Sequence, residues 1–338
     1  MKFLHADNEV FKELIELSSA HFGYEQSHVE KDYWVCKILK DISVSEFADK
    51  VYFKGGTSLS KAYMLIFRFS EDLDLFVFTR NPDASKQAEK TLNRRVSKFI
   101  QSKNESIYRR DLSETGGNYR KLCFSYNHVY EGVGLKENLE VELKSCDLQD
   151  KHTMYYPTDK RIITSIITEY LLVINRPDLV KQFGMESFEF QCINPRKTMC
   201  DKISRLVKLS YNDDAVQLIA KHIRDVYDLS VLYYNSSYHT FLRSKDFLEA
   251  MYQVTVEDGL TRSSQSHQSL ANAIIFKEAK TMMALSEIHA AYNTDLKQLV
   301  FDKKQFPPIE NSTNALKGIY EELLRFDKYR ASLLENNL

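Results

Sequence analysis

The sequence has few cysteines, and they follow no pattern. The chain contains five, none of them in a C-x-x-C pair. Disulfide frameworks use even numbers of cysteines, and zinc clusters use short paired spacings. The sequence therefore argues against both kinds of protein. It predicts that the cysteines are small core residues in a reducing cytoplasm.

Long apolar runs and an excess of charge of either sign are also absent. Polar residues interrupt the N-terminal segment at Asp7 and Asn8, so a secretion signal is not expected. The most apolar later stretch, 162–174, contains Glu169 and is too short to span a bilayer. The formal net charge of −1 provides no overall attraction to nucleic acid. We therefore expect a cytoplasmic protein without a membrane role, in which any RNA partner contacts a local basic patch.

The most informative segment is 51–78, with the sequence VYFKGGTSLSKAYMLIFRFSEDLDLFVF. Its first apolar strand stops at Gly55 and Gly56, where the backbone can turn tightly and leave N–H groups open to an anion. Thr57 and Ser58 are expected to cap the helix that follows, whose N-terminus favours negative charge. This turn predicts a site for phosphate groups.

Two aspartates follow the turn. A helix over 59–67 is expected to lead to a strand over 73–78, and Asp72 and Asp74 are spaced so that both carboxylates share one face. Adjacent carboxylates repel each other unless a cation lies between them, and oxygen ligands suit Mg²⁺. Alone, a Gly-Gly pair is usually a turn and an Asp-x-Asp pair a solvated strand edge. Together they predict chemistry on a nucleoside triphosphate.

These residues carry a family resemblance. The GGTS turn at 55–58, followed by DLD at 72–74, resembles the signature of the DNA polymerase β-like nucleotidyltransferase superfamily, although the gap between the two is longer than in the generic pattern. The fuller string KGGTSLSKAY…RFSEDLDL is similar to one branch, the AbiEii-type toxins of bacterial type IV toxin–antitoxin systems. The likeness covers about two-thirds of the chain, with nothing recognised beyond about Tyr234. Its weaker pieces are Glu30–Trp34, Leu139–Leu143, Pro195–Leu206 and Arg224–Leu229.

The resemblance and the order of predicted elements imply an α+β fold. A nucleotidyltransferase-like mixed β-sheet with flanking helices is expected over 1–195, and an all-helical domain that contributes to the active-site cleft over 196–338. Within the first domain, helices are expected over 8–23 and 82–102, and strands over 106–110, 119–128 and 138–145.

A second helix should begin near Ser27. Ser27 and Glu30 have the spacing of a capping box. The family likeness hints that Lys31 and Asp32 reach the site, but the solvated face of a helix is the commoner explanation for such charges, and we adopt it.

The resemblance also implies a third carboxylate, which completes the metal site and accepts a proton from the attacking hydroxyl. In the strand over 139–143, Glu140 and Glu142 share a face. Glu142 is expected to take this role, with Glu140 as the alternative. A half-exposed strand with outward-facing glutamates is a competing interpretation.

A lysine is expected to contact the triphosphate, whose charge requires a cation of this kind. Lys202, on a helix that begins at Pro195, resembles the family lysine in that role. On the next helix, Asp225 is expected to orient Lys202 or to contact the nucleotide. The role of Asp228 is open, since it could instead hold Arg224 or Arg205 in a structural ion pair.

We therefore expect a metal-dependent nucleotidyltransferase, the toxin of a bacterial toxin–antitoxin or abortive-infection system. Two Mg²⁺ ions would assist transfer of a nucleotide from a nucleoside triphosphate to an acceptor hydroxyl. The resemblance favours an RNA acceptor, the tRNA 3′ end, and a cognate antitoxin as partner. A protein-modifying enzyme and a non-catalytic nucleotide- or RNA-binding module on the same fold are the alternatives. The basic residues expected to contact RNA are Arg94, Arg95, Lys98, Arg109, Arg110, Lys197, Lys202, Arg205 and Lys208.

Overall fold

A computed structural model describes residues 3–70, 72–78, 85–126, 128–130, 137–145, 157–261 and 268–335. Within these ranges the chain forms two compact units. The first contains the described residues of Met1–Met64, Phe69–Asp150 and Thr158–Ile193. The second contains Leu65–Arg68, Pro157 and the described residues of Asn194–Leu338.

A mixed β-sheet organises the first unit. Its described strands are β1 (Val51–Lys54), β2 (Asp72–Val77), β3 (Glu114–Thr115), β4 (Tyr119–Phe124), β5 (Leu139–Ser145), β6 (Thr158–Ile163) and β7 (Phe188–Ile193). They lie in the order β3-β4-β5-β2-β1-β7-β6. Strand β2 runs antiparallel to β1 and parallel to β5, and β1 runs parallel to β7. The expected α+β fold with a mixed sheet is confirmed.

Helices cover one face of this sheet. They are α1 (Asn8–Phe22), α2 (Gln26–Ser43), α3 (Gly55–Lys61), α4 (Lys86–Lys103), α5 (Ile166–Val173) and α6 (Pro177–Gln182). Alternation along each strand decides which side chains face them: Leu73, Leu75 and Val77 of β2 are fully buried in a core shared with α1, α2 and α4. The intervening residues of β2 therefore face the opposite side.

Several local expectations are wrong. The segment 106–110 forms short 3₁₀ turns rather than a strand, and Tyr108 makes only an isolated bridge to Phe124. Strand β4 ends at Phe124. Helix α3 begins at Gly55 and ends at Lys61, so it does not extend over 59–67. Met64, with φ 50°, lies in the left-handed region, which a continued helix would not permit.

Helix α2 differs from expectation at its charged residues. Its N-terminal turn has no side-chain cap, and Glu30 instead accepts hydrogen bonds from the backbone N–H groups of Val129 and Tyr130. The capping box is therefore wrong. Lys31 is buried, and Asp32 is ion-paired with Lys61, so they do not form a solvated face. The reason is that α2 packs against α1, α4, α5 and the sheet, which leaves it little exposed surface.

The second unit is helical, as expected. Its described helices are α7 (Pro195–Ser210), α8 (Ala215–Lys221), α9 (Ile223–Tyr234), α10 (Ser236–Leu242), α11 (Lys245–Thr261), α12 (Ile274–Lys277), α13 (Ala279–Ala284), α14 (Ser286–Ala290), α15 (Lys297–Leu299) and α16 (Ile309–Glu335). Asn194 caps α7, since its side chain accepts from the Arg196 N–H group. Across the described ranges, no helix has the length and apolar content needed to cross a membrane.

Candidate active site

Four carboxylates lie on the face of the sheet opposite the helical core. In the parallel register of β2 and β5, Asp72 lies opposite Glu140, and Asp74 lies opposite Glu142. Because directly paired residues project from the same side of a sheet, all four side chains share that face. They are half-buried, whereas the leucine and valine residues between them are fully buried. The fold thus places the three carboxylates expected at the metal site on one face of the sheet.

The glycine turn contacts one of these aspartates directly. Strand β1 ends at Lys54, which pairs with Asp74 across the antiparallel ladder, and Lys54 Nζ lies 3.9 Å from Asp74 Oδ1. Gly55 follows with φ 77°, and a Cβ atom at Gly55 would lie 2.0 Å from Asp74 Oδ2. Only glycine fits this position, because any side chain would displace the carboxylate.

The hydroxyl groups of the turn have a different role from the one expected. The Thr57 hydroxyl donates to the backbone carbonyl of Asp72, and the Ser58 hydroxyl donates to the carbonyl of Gly55 at 3.0 Å. Both residues are buried. These bonds tie the turn to β2 and fix the first turn of α3, so neither residue is the expected helix cap. The donors that remain for a phosphate are the backbone N–H groups of that first turn.

Glu142 and Glu140 have different surroundings. Burial raises the pKa of Glu142, and the nearby charges of Asp74 and Asp72 raise it further. The Tyr119 hydroxyl donates a hydrogen bond to Glu142. Glu140, by contrast, is neutralised by Lys121, with 2.6 Å between its Oε1 and Lys121 Nζ. These contacts favour Glu142 as the third carboxylate, which stays a prediction.

The donor set fits a hard divalent cation. All three groups are carboxylates, and burial, followed by the charges of Asp74 and Asp72, raises the pKa of Glu142. Among the described residues, no three Asp, Glu, His or Cys side chains converge closely enough to form a complete metal site. Asp72, Asp74 and Glu142 thus share one face of the sheet without forming a complete metal site as they stand, and their role as metal ligands stays a prediction.

Lys202 and Asp225 meet in the second unit. Lys202 Nζ lies 2.5 Å from Asp225 Oδ1 and 2.9 Å from Asp228 Oδ2, and the three side chains are almost fully buried. Arg205 Nη1 is 3.1 Å from Asp225. Burial opposes ionisation of Asp225, but Lys202 and Arg205 lower its pKa overall. Asp225 therefore contacts Lys202 directly, which is compatible with the expected orienting role; that role stays a prediction.

Asp228 has a partner that the sequence did not suggest. Arg68 donates to both carboxylate oxygens, at 2.7 and 2.6 Å, whereas Arg224 and Arg205 were the two partners left open for Asp228. Both side chains are essentially inaccessible to solvent. The available signal was a single arginine inside the apolar run YMLIFRF, because a buried guanidinium requires a carboxylate partner.

A further ion pair holds α3 on the side that faces the core. Lys61 Nζ lies 2.7 Å from Asp32 Oδ1, and Asp32 Oδ2 accepts from the N–H group of Ile166 at the start of α5. Although burial opposes its protonation, the charges of Asp32 and Glu169 raise the pKa of Lys61. Asp32 therefore joins α2, α3 and α5 and supports the glycine turn from the core side.

The comparison with protein families decides the identity. A model for the nucleotidyl transferase AbiEii toxin of type IV toxin–antitoxin systems matches residues 37–317. The chain belongs to this family. No curated protein matches it. The AbiEii match extends well past Tyr234, where motifs alone gave no further likeness, and it begins after the Glu30–Trp34 piece.

Membership of the AbiEii family makes this protein a nucleotidyltransferase. Family membership implies a nucleoside triphosphate as substrate and an antitoxin as partner. Nucleotidyltransferases in general also use a divalent metal. The alternative of a non-catalytic binding module is set aside.

Proposed function

We propose that this AbiEii-family protein transfers a nucleotide from a nucleoside triphosphate to the 3′ hydroxyl of an RNA, with tRNA favoured, in a reaction that requires a divalent metal. The observation that supports it most is the contact between the glycine turn and the carboxylate face. Gly55 packs against Asp74, so phosphate donors and metal-ligand oxygens belong to one site.

The metal would be held by Asp72, Asp74 and Glu142, and we propose that two Mg²⁺ ions bind there. When bound, such ions orient the triphosphate and stabilise the charge of the departing pyrophosphate. The backbone N–H groups of the Gly55–Ser58 turn would bind the terminal phosphates.

Glu142 is proposed to accept the proton of the attacking hydroxyl. Burial and the nearby carboxylates raise the pKa of Glu142, which makes it a stronger base than an ordinary glutamate. The hydrogen bond from Tyr119 restrains Glu142. The hydroxyl oxygen then forms a bond to the α-phosphorus, the bond from that phosphorus to pyrophosphate breaks, and the proton resides on Glu142.

Lys202 is proposed to contact the triphosphate, with Asp225 orienting it. Arg68, Lys202 and Arg205 each lie within ion-pair distance of Asp225 or Asp228. The two carboxylates hold the Lys202 ammonium in a fixed position, which supports a role for it in contacting an anionic ligand.

Helix α4 offers the most suitable basic residues for contacting an RNA acceptor. Arg94, Arg95 and Lys98 are exposed on that helix, although Arg95 is paired with Glu46. Lys197 is a poorer candidate than expected, because its buried ammonium pairs with Asp201 and Glu257.

The test uses labelled nucleoside triphosphates, Mg²⁺ and total RNA with purified protein. Asp72→Asn and Asp74→Asn each keep the side-chain shape but remove a metal ligand, so transfer should be lost while the thermal transition stays nearly unchanged. Glu189→Gln, an exposed carboxylate on β7, is the matched control and should keep full activity.

Two results would overturn parts of the proposal. Full activity in either aspartate variant, or in the presence of a chelator, would refute the metal site. Label that resists ribonuclease but is lost to protease would refute the RNA acceptor and indicate that the enzyme modifies a protein hydroxyl.

A further inference from the structure

A cleft of about 910 Å³ lies in the first unit, away from the carboxylate face. Its walls come from the N-terminal segment, α1, α2, the end of α4 and the segment after β4. Phe11 and Trp34, which line it, belong to the core on the helix-covered side of the sheet. The cleft falls in the size range of small-molecule sites, about 300–1,000 Å³.

One wall of the cleft is a continuous series of aromatic rings. Phe3 stacks on His5 at 5.4 Å between centroids, His5 meets Trp34 at 4.6 Å, Trp34 stacks on Tyr126 at 5.3 Å, and Tyr126 meets His128 at 4.2 Å. Burial, with a smaller effect of a nearby lysine, lowers the pKa of His5 to about 4, so its imidazole is neutral at physiological pH. Phe3 is 47% exposed, whereas Trp34 and Tyr126 are 6% and 5% exposed. The ring surface open to the cleft is therefore the uncharged Phe3–His5 pair, on which a nucleobase can stack.

Trp34 adds an unsatisfied hydrogen-bond donor. Its side chain is 6% exposed, and within the described residues its Nε1 atom is buried without an acceptor. Buried indole N–H groups usually find a partner. A ligand with a carbonyl or ring nitrogen beside the indole would supply one.

The charge of the cleft is positive. The described residues that line it include three lysines, two histidines and no carboxylate. Lys37 is already paired with Asp41. Lys12 and Lys103 are exposed and form no ion pair among the described residues, so both can meet an anion.

We propose that this cleft binds an unpaired nucleotide, with its base on the Phe3 and His5 rings, an acceptor atom directed to the Trp34 indole N–H, and its phosphates on Lys12 and Lys103. A flat ring with hydrogen-bond acceptors, joined to an anion, matches each of the three features above. A single-stranded RNA segment and a free nucleotide share this chemistry. The site is separate from the carboxylates, so it does not depend on the transfer reaction.

The chain contains one tryptophan, Trp34, which provides a local fluorescence probe. The intact protein is titrated with a single-stranded oligoribonucleotide, with a nucleoside monophosphate, and with inorganic polyphosphate, which lacks bases. Binding of the oligonucleotide should change the Trp34 emission. The double variant Lys12→Glu with Lys103→Glu should bind with a shallower salt dependence. The slope of log K against log salt should fall in magnitude by about 1.4, as expected for two lost phosphate contacts with a single strand.

Two variants complete the test. Lys277→Glu with Lys280→Glu makes the same charge change on exposed lysines of the second unit and should leave Trp34 quenching and its salt dependence unchanged. Trp34→Phe removes the donor and the probe. Its affinity for a labelled oligonucleotide, measured by anisotropy, should fall by about threefold to tenfold, as expected for the loss of one hydrogen bond.

The possible outcomes distinguish RNA from a free nucleotide as the ligand, and both from the results that would refute the site. Saturation by the oligonucleotide assigns the site to RNA, and a response to the monophosphate but not to the oligonucleotide assigns it to a free nucleotide. An equal response to polyphosphate would refute base stacking. Unchanged Trp34 emission at saturating oligonucleotide and monophosphate, or equal quenching in the Lys12/Lys103 variant and wild type, would refute the site.

Discussion

The substitution Gly55→Ala gives the sharpest test of the site, because one methyl group acts on one metal-ligand oxygen. The new Cβ atom would lie 2.0 Å from Asp74 Oδ2, 2.8 Å from Asp74 Cγ and 3.0 Å from Asp74 Cβ. Ordinary contacts begin at 3.4 Å, so Asp74 Oδ2 must retreat by about 1.4 Å. A displacement of about 1 Å in a catalytic group can cost about 100-fold in rate. We expect at least that loss in nucleotidyl transfer.

Gly23→Ala is a control at a glycine with nearly the same positive φ. Gly23 has φ 74°, against 77° for Gly55, but a Cβ atom there would meet no atom within 4 Å. Both variants should therefore lose about 1–2 kcal/mol of unfolding free energy from the left-handed backbone alone. Only Gly55→Ala also moves a carboxylate, so any difference in activity reports on Asp74.

The assay compares both variants with wild type under the same conditions. Unfolding by urea gives the free energies, and incorporation of label from each nucleoside triphosphate gives the rates. A Gly55→Ala protein that transfers nucleotide as fast as Gly23→Ala would refute the idea that the turn and Asp74 form one site. An equal loss in both variants would assign the effect to stability.

Three further predictions concern the charged groups. Glu142→Gln should abolish transfer yet unfold at the same or a higher temperature than wild type at pH 7. Because the native pKa of Glu142 is raised, the native state binds more protons than the unfolded state above the ordinary glutamate pKa. The unfolding free energy of the wild type therefore falls as pH rises through that window. Lys202→Ala should lower the unfolding free energy by about 3–5 kcal/mol, since it leaves buried carboxylates short of a partner, and adding Asp225→Asn should recover part of that loss. Lys61→Met should destabilise the protein by a similar amount, measured by urea unfolding, because Asp32 then lacks its cation.

Much of the sheet and its carboxylate face could be predicted from the sequence, because alternation in a strand is a local property. The pattern DLDLFV in β2 and LEVEL in β5 each place acidic and apolar residues on opposite sides. The fold adds the register, which sets Asp74 beside Glu142 and Asp72 beside Glu140. A single sequence does not contain that pairing, so the choice between the two glutamates had to stay open.

The buried ion pairs could not be predicted, since they join residues far apart in the chain. Asp32 and Lys61 belong to two helices, and the sequence alone assigned Asp32 to a solvated face. A charge on a helix is exposed in most proteins, and only the packing of α2 on several sides overrides that tendency. The same reasoning holds for Lys197, which looked like an RNA contact and is instead buried with two carboxylates.

Part of the segment between the glycine turn and the aspartates belongs to the helical unit. The residues Leu65–Arg68, which lie in this gap, are in the second unit, whereas the chain on both sides belongs to the first. Within the second unit, Arg68 pairs with Asp228 through both carboxylate oxygens, and Phe67 accepts a backbone hydrogen bond from Phe301. A shorter connection would remove this buried ion pair, whose breaking costs about 3–5 kcal/mol. The motif RFSEDLD therefore has two roles: its arginine stabilises the helical unit, and its aspartates lie on the carboxylate face of the sheet.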